Sequence, residues 1–237
     1  MISIGKDNIA LFAATNEKSL RGRIRSVVFE FHGLGYTGLD DINGNDTAGA
    51  DGILRILPYY GPWSWMNKES VAYVDAVLGA VIDKYGLSAR IPVVSTGGSM
   101  GGLSSLIYAR YSAHTPVAAA SNCPVCDLVY HATERDDLPR TVLAAFSHYE
   151  CGIDKAIERN SPMHQIKYMP KIKYLIVHGG GDTAVNKEKH SDPFVAGMRA
   201  AGHDVGYIEV PGMKHCELDF DPDVKKRYYE FIYGFAR

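Results

Sequence analysis

The sequence predicts an α/β fold: a mostly parallel sheet with helices packed on both faces. Two observations carry this. Short runs rich in β-branched residues alternate along the chain with longer stretches of helical periodicity. Several of the short runs, such as Ile91 to Thr96 and Ile172 to Val177, are apolar with little alternation, as strands covered on both faces are. A third observation sets the scale. At 237 residues, with no internal repeat, low-complexity tract or linker, the chain fits one domain around one large core, residues 1–237.

The elements follow in order. Asn8 to Ala14 reads as a first strand and Arg25 to Phe31 as a second, running into His32-Gly33-Leu34-Gly35. Gly52 to Pro58 is a third strand, followed by an aromatic loop from Tyr59 to Trp65. From Lys68 to Tyr85, apolar residues at Val71, Val74, Val77, Leu78, Val81 and Ile82 form a helical stripe, and Gly86 stops it. Ile91 to Thr96 is a buried strand and Met100 to Tyr111 the helix after it. Val117 to Ala120 is a short strand. Cys123 to Pro162 is the least regular stretch, with a helix near Leu138 to Tyr149, and is the one segment that could form a small cap. Ile172 to Val177 and Val205 to Val210 are strands, separated by a helix from Asp192 to Ala201. Pro222 to Phe235 closes the chain as a helix.

The bulk properties exclude some functions. A net charge of −2 gives no broad basic surface for nucleic acid or anionic lipid. The N-terminus has no charged segment followed by an apolar one, and no apolar run spans a bilayer, so the expected location is cytoplasmic. Four cysteines in a chain this long do not make a disulfide framework.

Gly97-Gly98-Ser99-Met100-Gly101-Gly102 is the strongest motif. It matches Gly-x-Ser-x-Gly, with a buried strand before it and a helix at once after it. A serine at such a corner sits on a strained turn above the strand end, beside the free N–H groups of a helix N-terminus. Those groups favour the oxyanion formed when the serine attacks a carbonyl. The plainer reading is a glycine-rich turn with a serine cap.

A serine hydroxyl needs a base, and the base an orienting acid, in the chain order Ser, Asp or Glu, His. Asp182 follows the strand Ile172 to Val177 in His178-Gly179-Gly180-Gly181-Asp182, and His215 follows the last strand in Pro211-Gly212-Met213-Lys214-His215-Cys216. These are the candidate acid and base. Asp127, after the preceding strand, is a second candidate for the acid. His32 and His178 sit at strand ends, where they either line the site or serve structure. By position, the backbone N–H groups of Leu34 and Met100 are candidate oxyanion donors. His32, Tyr60, Trp63 and Trp65 are candidate substrate contacts, with core packing as the equal alternative for the tryptophans. Cys123-Pro124-Val125-Cys126 is a Cys-x-x-Cys motif, but it comes after a late strand rather than before the first helix, which argues against redox chemistry. No cofactor or metal is expected, since the spacing of Cys151 and Cys216 does not complete a zinc set.

From Ser26 to the C-terminus the chain resembles the α/β-hydrolase superfamily, and within it the prolyl-oligopeptidase and dienelactone-hydrolase-like esterase branch. The resemblance rests on His32-Gly33, Gly97 to Gly102, Ser161-Pro162, His178-Gly179 with Asp182, and Pro211-Gly212 leading to His215. It implies a three-layer sandwich on an eight-stranded, mostly parallel sheet with an early antiparallel strand. It also implies metal-free hydrolysis of esters, thioesters or amides. The sequence departs from dienelactone hydrolases, which use cysteine where this chain has Ser99. It has no counterpart of the propeller of full prolyl oligopeptidases, and no evident acidic pair for a peptide's amino end, with Asp40 and Asp41 unplaced. The expected activity is therefore an esterase or deacetylase acting on a small molecule. Hydrolysis of small peptides or amides on the same triad is the alternative. A non-catalytic binder and a thiol-dependent protein are more distant readings.

Overall fold

The structure, a computed structural model, describes residues 3–37 and 47–236. Asp40 and Asp41 lie outside the described residues. Among these residues seven strands form one sheet: β1 (Ala13–Thr15), β2 (Ser26–Phe31), β3 (Ile53–Pro58), β4 (Val93–Gly98), β5 (Ala118–Asn122), β6 (Lys173–Gly179) and β7 (Asp204–Val210). Their order is β1-β3-β2-β4-β5-β6-β7, and only β1 runs antiparallel. Among the described residues eight α-helices accompany them: α1 (Lys68–Tyr85), α2 (Met100–Tyr111), α3 (Leu128–His131), α4 (Leu138–Phe146), α5 (Ile153–Arg159), α6 (Pro162–Gln165), α7 (Ser191–Ala200) and α8 (Pro222–Tyr233).

The sheet corrects two expectations. It has seven strands among the described residues, not eight. The first expected strand, Asn8 to Ala14, is a 3-10 turn at Ile9–Leu11 followed by the three-residue β1. Strand propensity at the chain start yields here to pairing, because β1 adds only Ala13, Ala14 and Thr15 to the edge of β3.

Strand parity explains the two faces. Val27, Phe29 and Phe31 of β2 pack with Val74, Val77 and Val81 of α1 and with Leu103 and Ile107 of α2. Val28, between them, packs with Val224, Tyr228 and Ile232 of α8 on the other face. Tyr174 and Ile176 of β6 lie under Phe194, Val195 and Met198 of α7. The helix ends follow local rules. Asn67 caps α1 by accepting from Ser70 N at 3.0 Å, and Gly86 ends it at φ 58°. Asp221 caps α8 before Pro222 at its first turn. No helix among the described residues is long and apolar enough to cross a membrane.

The order of strands positions a site. From β2 the chain crosses to β3 on one side, and from β4 it crosses to β5 on the other. The crevice at the C-terminal ends of β2 and β4 is thus the topological switch point of the sheet, where ligands bind in folds of this kind. Closing the helix onto that point demands glycine. A Cβ on Gly101, in the first turn of α2, would lie 2.0 Å from the carbonyl oxygen of Phe31 and 2.9 Å from that of His32. Backbone cannot yield that far, so Gly101→Ala is expected to cost at least ~4 kcal/mol in urea denaturation or to prevent folding. Gly79→Ala in α1, where a Cβ meets nothing within 4 Å, is expected to add about 1 kcal/mol. Equal effects of the two changes would refute this account of the α2 approach.

Candidate active site

Ser99 is the hinge between β4 and α2, with φ 58° and ψ −122°. A non-glycine residue there carries roughly 1–3 kcal/mol of strain and persists only if its surroundings hold it. They do so from three directions. Its N–H donates to Asn122 O at 3.0 Å, and its carbonyl accepts from Leu103 N at 3.1 Å and Val125 N at 3.3 Å. The hydroxyl makes no capping bond to the helix, so it is not spent on structure.

Asp182 and His215 are brought together by lacing two loops. The Gly180 N–H donates to Val210 O at 2.9 Å and the Gly181 N–H to Met213 O at 3.0 Å. A Cβ on Gly179 would stand 2.1 Å from Met213 O, which is why the acid loop is built of consecutive glycines. The Asp182 carboxylate is fully buried. Its Oδ1 accepts from Ala184 N at 2.8 Å and Val185 N at 3.0 Å, and its Oδ2 from His215 Nδ1 at 2.7 Å. Nε2 of the fully buried His178 is 3.3 Å from the same Oδ2. Burial opposes the charge on Asp182, but hydrogen bonds from His178, His215 and the Val185 N–H outweigh it and hold the carboxyl far below the usual range. For His215, burial disfavours the cation. The Asp182 carboxylate and the Cys123 thiol group beside the ring outweigh that and raise its pKa to about 9.

Ser99, His215, Gly33, Leu34, Gly98, Trp65, His131, Arg135, Ala184, Val185 and Cys216 enclose one cavity of about 460 Å³ at the switch point. Nε2 of His215 faces Cys216 Sγ at 3.8 Å, and no hydrogen bond joins it to Ser99 Oγ among the described residues. Such contacts commonly tighten only when substrate arrives. Leu34 carries an N–H without an acceptor among the described residues. Met100, first in its helix, has no acceptor within α2.

The remaining sequence candidates separate. Trp65 is fully buried at φ 47°, donates from Nε1 to Thr141 Oγ1 at 3.0 Å, and forms part of the cavity wall. Trp63 is half exposed in an adjoining hollow with Tyr60, outside the cavity that holds Ser99. His32 and Tyr60 stand behind the wall. Their rings stack at 4.1 Å, His32 Nε2 meets Tyr60 O at 2.8 Å, and the Tyr60 hydroxyl donates to His32 O at 3.1 Å. This pairing braces the Leu34 loop instead of presenting either residue to the cavity. Asp127 caps α3 by accepting from Tyr130 N at 3.0 Å. His178 buttresses Asp182 and also pairs with Ser191 Oγ at 2.6 Å.

Sequence reasoning missed His131 and Arg135. They come from the irregular stretch after β5, where no periodicity marks a cavity wall. The Cys-x-x-Cys spacing also carries no information on where the thiols converge. Cys123 packs with the α8 face of the sheet and Cys126 with the α7 face, so the Cys-x-x-Cys residues diverge. Cys123 converges instead on Cys216, whose N–H donates to Cys123 Sγ at 3.4 Å.

Comparison with known proteins bears on the family and the fold. The prolyl oligopeptidase family model matches residues 66–237. No curated protein matches the chain. A puromycin-hydrolyzing peptidase of Mycobacterium tuberculosis is 20% identical with TM-score 0.68, covering 91% of this chain and 35% of its own. An acylaminoacyl peptidase of Pyrococcus horikoshii is 15% identical with TM-score 0.71, covering 92% and 37%. Esterase B of Lactobacillus rhamnosis is 15% identical with TM-score 0.68, covering 91% and 76%. The chain thus spans about a third of the length of the two peptidases and most of that of the esterase. With nearly three quarters of its length in the family match, the chain belongs to the prolyl oligopeptidase family and has the α/β-hydrolase fold of its serine hydrolases.

Proposed function

We propose that the chain is a serine hydrolase that cleaves small carboxylic esters through an acyl-enzyme. One observation carries the reading: a strained, otherwise unengaged Ser99 shares a cavity with a histidine whose far nitrogen is held 2.7 Å from a buried carboxylate. In the reaction, Ser99 Oγ attacks the ester carbonyl as His215 Nε2 takes its proton. Asp182 keeps the Nδ1 proton in place and steadies the imidazolium. The N–H groups of Leu34 and Met100 receive the oxyanion, each worth about 3 kcal/mol in the transition state. His215 then returns the proton to the departing alkoxide, and water repeats the sequence on the acyl-enzyme. The stretch 123–162 contributes His131 and Arg135 to the cavity wall.

Amide or peptide hydrolysis on the same residues is the second reading, favoured by the family and by the peptidases among the similar structures. The cavity lining speaks for the ester. Among the described residues it presents Arg135 and His131 and no carboxylate, a poor seat for a free amino terminus. Nitrophenyl esters with neutral or acidic acyl groups are expected to show kcat/KM at least ~10-fold above aminoacyl nitroanilides of equal size. The reverse ranking would replace the ester reading with the peptidase one.

A further inference from the structure

We infer that Cys123, Cys216 and His215 form a binding site for one thiophilic divalent cation, such as zinc or cadmium, whose occupancy silences Ser99. The two thiol sulfurs and a ring nitrogen of His215 lie within 4.8 Å of one another. The ring atom that faces the thiols is Nε2, 3.8 Å from Cys216 Sγ, because Nδ1 is engaged by Asp182. Tetrahedral zinc, with sulfur at about 2.3 Å and nitrogen at about 2.0 Å, sets its ligands roughly 3.5–3.8 Å apart. The three atoms therefore need only small movements to close on one ion.

The surroundings match such a site. Thiolate and imidazole together select soft cations over magnesium or calcium. A carboxylate on the remote nitrogen of a ligating histidine is the usual outer support, and Asp182 already stands there. Both cysteines sit at positive φ, 45° and 58°, which sets the direction in which each Cα–Cβ bond leaves the backbone. Cys123 is buried, but His215 and Cys216 open onto the cavity, which gives the ion its entry and leaves a fourth position for water. On binding, the protons carried by the two thiols and by Nε2 of the imidazolium leave to solvent, and the two sulfurs and Nε2 give their lone pairs to the metal.

Among the described residues there are two other convergent sets. Cys123, His178 and Asp182 shares Cys123, but both ring nitrogens of His178 are engaged, Nδ1 with Ser191 Oγ at 2.6 Å and Nε2 with Val185 O at 3.1 Å. His131, Glu134 and His190 is closed by its own bonds. His190 Nδ1 accepts from Cys126 N and Asp127 N, at 3.2 and 3.1 Å. That leaves Nε2–H to donate to Glu134 at 3.0 Å, with His131 on the same carboxylate oxygen.

The silencing, though not the site, rests on the hydrolase reading, since a cation on Nε2 occupies the atom that must take the serine proton. The test is a cadmium titration of the full chain carrying Cys151→Ser, which removes the exposed thiol. The ultraviolet thiolate-to-cadmium band is expected to saturate at about one ion per chain. It should fall by roughly half in Cys123→Ser and in Cys216→Ser, and vanish in the double variant, with folding checked by melting curves. At saturation, fluorophosphonate labelling should slow at least ~10-fold and recover with chelator. No band, or a band that survives loss of both thiols, would overturn the site. Unchanged or faster labelling at saturation would overturn the silencing. If the metal-free chain does not label at all, the hydrolase reading fails while the band still decides the site.

Discussion

Ser99→Ala is expected to lower ester turnover by a factor on the order of 10⁵ to 10⁶ while leaving the fold unchanged. Both halves follow from the corner. The hydroxyl makes no capping bond, so its removal breaks no structural contact. Alanine meets the same strain as serine at φ 58°, and the three backbone bonds that hold the corner do not involve the side chain. Melting temperature should therefore move by no more than about 2 °C, corresponding to about 0.5–1 kcal/mol. The Leu34 and Met100 N–H groups and the cavity stay in place, so some acceleration over water remains, roughly 10³ to 10⁴ in such hydrolases. Intact mass after fluorophosphonate treatment reads the chemistry directly. One adduct on the parent chain, mapped to Ser99 and absent from the variant, is the expected result. Retention of more than a few per cent of turnover by a folded variant would remove Ser99 from the mechanism.

What the sequence makes legible depends on how local the signal is. The elbow was legible because strand, Gly-x-Ser-x-Gly and helix follow one another within a few turns of chain. Asp182 and His215 were legible from order alone, since each follows a parallel strand whose C-terminal end must face the same side. The partners of those residues were not. That His178 supports Asp182 while His32 braces Tyr60 is decided by side-chain direction at two strand ends that look alike in sequence. Cys123 meets Cys216 across a sequence separation of 93 residues, and no spacing rule encodes that pairing. The same holds for Arg135, which reaches the cavity from a stretch of short helices with little periodicity.

The second large effect is at Asp182. Asp182→Asn is expected to reduce kcat/KM by about 10⁴-fold, because the new amide would fix His215 in the wrong tautomer. The local bonds dictate this. At Oδ1 two backbone N–H donors converge, from Ala184 and Val185, so an asparagine must put its oxygen there. Its NH₂ then lies where Oδ2 was, facing His215 Nδ1. A donor facing Nδ1 makes that nitrogen the acceptor and sends the ring proton to Nε2, the atom that should take the serine proton. The same NH₂ opposes His178 Nε2, whose proton also goes to Val185 O at 3.1 Å, and this conflict should cost about 1–3 kcal/mol of stability. The pH profile separates this role from simple loss of structure. In the parent chain the free base appears as pH rises through the raised His215 pKa of about 9, so kcat/KM should climb to an alkaline plateau. Removing the carboxylate removes the chief cause of that elevation, and the residual activity should reach its plateau at lower pH. A variant that loses activity with its ascending limb unmoved would mean that Asp182 only holds the loop, with His215 taking its basicity from elsewhere.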